Sequence, residues 1–341
     1  MICPHCTQSV TYKERSYKTC SNCKKEFAFE PKSHSLLISD KYFSNVVKKL
    51  SYDGKLFYTS EQLQFAVSRK KIKNGSNIVG LIIIATITTI IALIISAALL
   101  PDPPKANSLR ILLFFLIPVA VFFVWVIVIG GKIIRNQTHI CLPQSRSDFN
   151  DSVLYRWKEI YGKFPQKLIM EKPQSLSSNY NLRGILFCET EDTANFILAN
   201  QLNIKFGLTV VNDLNSKLPD SLPIYVLHDA TSEGIELLEK VKTHFGNQRK
   251  IIDLGLKPQS VMNSKLMQFR QRNYGKTDFS SLNSAEIKWL RQGFYTPLFV
   301  LRPTQLIKYL DKQFEQKGNQ IPVENVEEKA EAIGFMTWAG E

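Results

Sequence analysis

Two long stretches of this chain carry no charge at all. Ile78 to Leu100 is 23 residues and Ile111 to Gly131 is 21. Both are dominated by Ile, Leu, Val and Phe. A helical run of about 20 apolar residues rises about 30 Å, the thickness of a bilayer's hydrocarbon core. Two such runs close together exceed the length a buried core helix needs. Neither lies near the start of the chain, so neither reads as a signal peptide. Pro101-Asp102-Pro103-Pro104-Lys105-Ala106-Asn107-Ser108 stands between them and cannot continue a helix. The pattern predicts a transmembrane hairpin, spans 78–100 and 111–131 joined by a non-cytoplasmic turn over 101–110.

Basic residues orient the hairpin. Arg69, Lys70, Lys71 and Lys73 precede it, and Lys132, Arg135 and Arg146 follow, against Lys105 and Arg110 in the turn. The positive-inside rule then places both termini in the cytoplasm of a multi-pass membrane protein, in a bacterial inner or plasma membrane. Of the formal net charge of +13, residues 1–77 hold 14 basic and 6 acidic groups, and residues 148–341 hold 24 and 23. The basic front sets orientation and could also favour membrane lipid as a partner.

Cys3-Pro4-His5-Cys6 and Cys20-Ser21-Asn22-Cys23 are two C-x-x-C pairs separated by thirteen residues. Each pair aims two sulfurs at one point, and together they make a tetrahedral zinc set of Cys3, Cys6, Cys20 and Cys23. A reducing compartment disfavours disulfides as the alternative. His5 could replace one thiolate but reads as a knuckle residue. The segment resembles the zinc-ribbon family in its paired knuckles and in the strand Lys24-Lys25-Glu26-Phe27-Ala28-Phe29. The resemblance covers about residues 1–32 and implies a closed, structural zinc that supplies most of the segment's folding free energy.

Residues 33–77 read as two short helices. Ser39 or Asp40 caps the first, and Thr59-Ser60-Glu61-Gln62 is a capping box for the second. After the second span, residues 132–183 read as a juxtamembrane helix over 148–165 and a linker that includes the polar loop Lys172 to Arg183.

From residue 184 the pattern changes. Short apolar strands at 184–188, 206–211, 223–227 and 250–254 alternate with helices at 192–202 and 232–245. Continuous apolar strands alternating with helices argue a parallel sheet covered on both faces, with working groups at the strands' carboxyl ends. Glu189 follows the first strand and Asp229 the third. This order resembles the Toprim fold, in particular that of the topoisomerase VI A subunit, over residues 184–256. There a Glu ends the first strand and an Asp-x-Asp followed by Gly ends the third. The resemblance implies carboxylates converging on Mg²⁺ beside a phosphodiester. Thr231 stands where the second Asp belongs, which removes one charge from that set. The plainer reading of Glu189 and Asp229 is strand-end polar groups, with Asp229, Thr231 or Ser232 capping the next helix. His228 beside Asp229 reads as a hydrogen-bonded pair, and Cys141 and Cys188 as free thiols. Lys265, Arg270, Arg272 and Lys276 interleave with Phe269 and Tyr274, a pattern that can track a phosphate backbone and stack bases, or else form a solvated helix face. Helices follow at 284–291 and 304–314. The α/β domain runs to 316 and a tail over 317–341.

The expected fold class is multi-domain: an N-terminal zinc ribbon, a two-helix transmembrane hairpin, and a C-terminal α/β domain with a mainly parallel sheet, Toprim-like or Rossmann-like. The expected function is non-enzymatic, a membrane-anchored zinc-ribbon protein that recruits or senses a protein, nucleotide or nucleic-acid partner. The rival is a Mg²⁺-dependent phosphodiesterase or nuclease acting through Glu189 and Asp229. No P-loop, dinucleotide loop, internal repeat or catalytic triad is present. Oligomeric state is not legible in the residues.

Overall fold

The computed structural model describes residues 1–74, 84–92, 94, 119–128, 141–173, 182–215, 218, 222–246, 249–264, 266–271 and 279–318. Two compact units emerge, one formed by Met1–Lys70 with Cys141–Glu341 and the other by Lys71–Ile140.

In the first unit, α1 (Asp40–Leu50) begins at Ser39, whose hydroxyl accepts from Tyr42 N. α2 (Ser60–Asn74) begins at a reciprocal capping box. Gln62 N donates to Thr59 Oγ1 and Thr59 N donates to Gln62 Oε1, at 3.2 and 3.1 Å.

In the second unit, two helices are described within the uncharged runs, α3 over 84–92 and α4 over 119–128. Among the described residues no helix is long and apolar enough to cross a membrane. The expected transmembrane hairpin, its membrane assignment and the multi-pass localisation with cytoplasmic termini are corrected accordingly. Uncharged length alone is an indirect sign of a span, and the described helices do not supply one. The rest of both runs, the turn over 101–110, Lys132 and Arg135 lie outside the described residues.

Back in the first unit, α5 (Arg146–Phe149) passes through a π-helical stretch, Asn150–Tyr155, into α6 (Arg156–Tyr161), which stops at Gly162 with φ 74°. This helix is not a module of its own. Its Phe149, Val153 and Leu154 share one core with Phe29, Leu36, Ile38, Phe43, Leu50, Tyr58 and Leu63. Trp157 lies against Phe43 (4.7 Å between centroids), Phe29 (5.9 Å) and Tyr161 (4.0 Å). Fully burying such aromatic or aliphatic side chains stabilises by about 1.5–3 kcal/mol each. Tyr58 pairs with Leu168 as a parallel bridge.

The α/β part begins with β1 (Gly184–Cys188), α7 (Glu191–Ala199), α8 (Leu202–Phe206), β2 (Leu208–Val211), β3 (Ile224–Leu227), α9 (Ser232–Phe245) and β4 (Ile251–Asp253). These strands form a four-stranded parallel sheet in the order β2-β1-β3-β4. β1 is buried along its whole length, as its GILFC sequence requires. Ile185, Phe187, Ile224 and Val226 pack against Leu238, Val241 and Phe245 of α9. The chain completes with α10 (Pro258–Met262), β5 (Phe269–Arg270), α11 (Ser284–Arg291), β6 (Phe294–Tyr295) and α12 (Pro303–Gly318). β5 and β6 pair antiparallel. Asn200 ties this part to the helical core, accepting from Phe57 N at 2.9 Å and donating to Phe57 O at 3.1 Å.

β1 lies between β2 and β3, so its two neighbours are reached by crossovers in opposite directions. The carboxyl ends of β1 and β3 therefore flank a topological switch point, where open α/β sheets form crevices.

Candidate functional site

The N-terminal knuckles repeat one local geometry twice. Cys3 N donates to Gln8 O and Cys20 N to Lys25 O, both at 2.9 Å. Thr7 N donates to Cys3 O and Lys24 N to Cys20 O, both at 3.0 Å. Thr7 and Lys24, the residues after each second cysteine, share φ values of 60° and 59°. That left-handed residue turns the chain back, so Ile2 bridges Ser9 and Thr19 bridges Glu26.

The two turns bring the four sulfurs of Cys3, Cys6, Cys20 and Cys23 within 4.8 Å of one another. Cys3 Sγ is 3.8 Å from Cys23 Sγ, and Cys6 Sγ 3.8 Å from Cys20 Sγ. A disulfide needs about 2.05 Å, and all six cysteines are free thiols. Four sulfurs at about 2.3 Å from a tetrahedral ion stand about 3.8 Å apart. The donor set and its spacing thus fit a metal ion such as zinc. Hydrogen bonds to sulfur prepare the thiolate form. His5 N reaches Cys3 Sγ at 3.4 Å and Asn22 Nδ2 reaches Cys6 Sγ at 3.6 Å. The Gln8 backbone amide and then Asn22 pull Cys6 down to about 6, while burial pushes Cys3 up to about 12. Metal binding at buried Cys3 therefore expels a proton.

His5 is not in the sulfur set. Its Nε2 donates to Glu26 O at 3.0 Å and its ring stacks on Tyr161 at 5.6 Å. Behind the knuckles, buried Asp40 accepts from Ala28 N, Phe29 N and the Tyr161 hydroxyl at 2.9, 2.8 and 2.6 Å. A ring against one knuckle and a carboxylate under its trailing strand thus clamp the module to α1 and α6.

The carboxyl edge of the sheet is built differently. Glu189 Oε2 accepts from Asp229 N at 2.6 Å and Oε1 from Thr231 Oγ1 at 3.2 Å. Thr231, not Asp229 or Ser232, caps α9, its hydroxyl accepting from Gly234 N at 2.9 Å. A carboxylate at 231 could not donate to Glu189, so the hydroxyl replaces a repulsion with a bond. Asp229 Oδ1 accepts from Leu298 N at 2.8 Å. Burial, then the charge of Glu189, push the Asp229 carboxyl up to about 8. Burial also raises Glu189.

His228 is fully buried between two acceptors. Nδ1 donates to Asp229 O at 2.7 Å and Nε2 to Asp253 Oδ1 at 3.1 Å. An acceptor faces each ring nitrogen, an arrangement that favours the protonated ring paired with Asp253. Burial works against that charge, but the Asp253 hydrogen bond and charge outweigh it and raise His228. Asp253 is lowered for the reciprocal reason, against its own burial. Gly255 is required here, since a Cβ on it would lie 2.2 Å from the His228 ring. Asp253 falls within the 184–256 segment of the Toprim resemblance, where the sequence reading gives it no role. The available signal was an acid ending the fourth strand, two residues before a glycine.

Beside Asp229, residues Thr59, Glu61, Gln62, Thr190 and Asp192 line a cavity of about 20 Å³, room for a single water. Arg146 bridges Glu61 and Asp192 at 3.5 and 2.8 Å. Among the described residues, the four cysteines are the only group of three or more ligand-type side chains close enough to hold a metal ion.

Of the basic–aromatic stretch, Lys265, Arg272, Tyr274 and Lys276 lie outside the described residues. Phe269 is fully buried against Phe65, Tyr295 and Phe299, where no base can stack on it. Arg270 lies over the Phe294 ring and donates to Gln292 O. Cys188 is buried and Cys141 exposed. The tail over 319–341 lies outside the described residues.

Comparison with protein-family models, curated proteins and solved structures finds no match for this chain, and so no support for a Toprim or topoisomerase VI relationship.

Proposed function

We propose that this chain is a non-enzymatic binding protein. Its N-terminal module is a zinc ribbon in which Cys3, Cys6, Cys20 and Cys23 hold one structural zinc. Its α/β part is a degenerate Toprim-like domain that recruits or senses a partner. The ion would lock two knuckles that have little apolar core of their own, built on Val10 and Phe27.

The observation that best supports the non-enzymatic reading is that the strand-end acids are already engaged within the chain. Both Glu189 oxygens accept hydrogen bonds from the chain itself, and Asp229 is raised towards its neutral form. A Mg²⁺ site needs ionised oxygens left free for the metal. The burial of Phe269 favours a protein or nucleotide partner over a single-stranded nucleic acid.

The test uses the full zinc-loaded chain with Mg²⁺ and bis(p-nitrophenyl) phosphate or plasmid DNA. No hydrolysis above that of the Asp229→Ala variant is expected. Mg²⁺-dependent cleavage that Asp229→Ala abolishes would establish the phosphodiesterase reading through Glu189 and Asp229 instead.

A further inference from the structure

The ribbon has a small core of its own. Cys3, Val10, Cys20 and Phe27 form it, and none of them belongs to the helical core of Phe29, Phe43 and Tyr58. Phe27 and Phe29 are two residues apart yet anchor in different cores. A groove of about 440 Å³, lined by Lys18, Glu30, Ser33, Asp151, Ser152 and Arg156, opens between the two parts. Particular contacts, rather than one continuous packed face, therefore join them.

Those contacts converge on the sulfurs. The His5 ring lies on the Tyr161 ring at 5.6 Å and 18°. Tyr161 donates to Asp40 Oδ2, the same oxygen that accepts from Ala28 N, while Asp40 Oδ1 accepts from Phe29 N. Glu26 pairs with Arg156 of α6 at 2.9 Å. His5 stands between Cys3 and Cys6, and its amide donates to Cys3 Sγ at 3.4 Å. Its Nε2 spans to Glu26 O, three residues past Cys23. One side chain thus ties the first knuckle to the exit of the second and presents its ring face to α6.

We propose that zinc occupancy of the knuckles and docking of the ribbon on α6 strengthen each other, with His5, Tyr161 and Asp40 as the positioning residues. The inference rests on the zinc reading above. Its physical basis is reciprocity. A contact made to the closed knuckles and lost from open ones favours the metal by the same factor by which the metal favours the contact. Tyr161 supplies no ligand, yet its ring and hydroxyl brace the knuckle on one side and the trailing strand on the other. Groups beyond the ligands that orient them change metal affinity by about 10–100-fold.

The test uses the full chain and zinc alone, with affinity read by competition against a chromogenic chelator. Tyr161→Ala should bind zinc about tenfold or more weakly than the wild type, with the α/β part still protected from protease. The double variant His5→Ala, Tyr161→Ala should bind no more weakly than His5→Ala alone, because both changes remove one contact. In the other direction, chelating the wild type should shift the emission of Trp157, stacked on Tyr161 at 4.0 Å, with Trp157→Phe as the blank. A wild type that binds one zinc while Tyr161→Ala binds it equally tightly would overturn this inference and leave the zinc reading intact. Losses that simply add in the double variant, or Trp157 emission unmoved by chelation, would overturn it too. A wild type that binds no zinc would sink both readings.

Discussion

The N-terminal knuckles and the carboxyl edge of the sheet both gather residues that metals use, and they treat them in opposite ways. At the knuckles, four sulfurs face one another, with pairs at 3.8 Å and two weak N–H···S contacts as support. At the sheet edge, Glu189 meets Asp229 N and the Thr231 hydroxyl, Asp229 meets Leu298 N, and Asp253 meets His228 and Gly255 N. Internal donors compensate a buried carboxylate without a cation, whereas four clustered thiolates lack such compensation. Ligand-type residues sharing one edge are thus weak evidence for a metal site. What already engages each ligand atom bears on the matter as much as its type.

Removing the metal should separate the two regions most. Chelation, or Cys20→Ser, is expected to release one zinc per chain and to open residues 1–32 to protease, because structural zinc contributes on the order of 10 kcal/mol of binding to such modules. The α/β part should stay protected. Coupled zinc-release and limited-proteolysis assays would show whether both regions instead open together.

Glu189→Ala should act only at the sheet edge. It strands the Asp229 amide and the Thr231 hydroxyl, costing about 2–3 kcal/mol, seen as a lower urea midpoint with zinc content unchanged. An unchanged midpoint would mean the network is ornamental.

The pH dependence follows from the same network. Asp229 is raised in the folded state, so folding binds its proton, and stability falls as pH climbs from about 4 through about 8. His228 is raised too, so its stabilisation is complete below about 6.5 and is lost as pH rises through its folded value. Asp253 is lowered and acts only on the acid side, its contribution fading as pH drops through its folded value. Asp229→Asn should flatten the decline between about pH 5 and about pH 8.5 in urea titrations. A slope unchanged in that variant would assign the decline to other groups.

The smallest effect is expected from Arg146→Ala. The Arg146 side chain is half exposed, so its bridges to Glu61 and Asp192 contribute about 1 kcal/mol or less, and less at high salt. A larger loss would show that Arg146 carries more of the α2–α7 contact than its exposure allows.

Legibility in the sequence tracked locality. Each knuckle closes within five residues, so C-x-x-C spacing located the sulfur cluster. Strand β1 and helices α9 and α11 were bounded correctly because their apolar periods and caps are local. The strand order was not legible, nor was the union of residues 1–70 with α5 and α6, since Asp40 and Tyr161 are 121 residues apart. Phe269 looked like a surface ring because its burial depends on β5 pairing with β6 and on Phe65 from α2. The uncharged runs led to a transmembrane reading that no described helix supports, because absence of charge is an indirect sign of a span. At the sheet edge, residue type suggested a metal, and only hydrogen-bond geometry revealed that the acids serve one another's backbones.

The most direct test of this contrast is the zinc-edge X-ray absorption spectrum of the full chain. It should show four sulfur scatterers at about 2.3 Å and nothing nearer. Oxygen or nitrogen scatterers at about 2.0–2.2 Å that persist in a Cys3→Ser, Cys20→Ser variant would put the metal on the carboxylates and contradict the account.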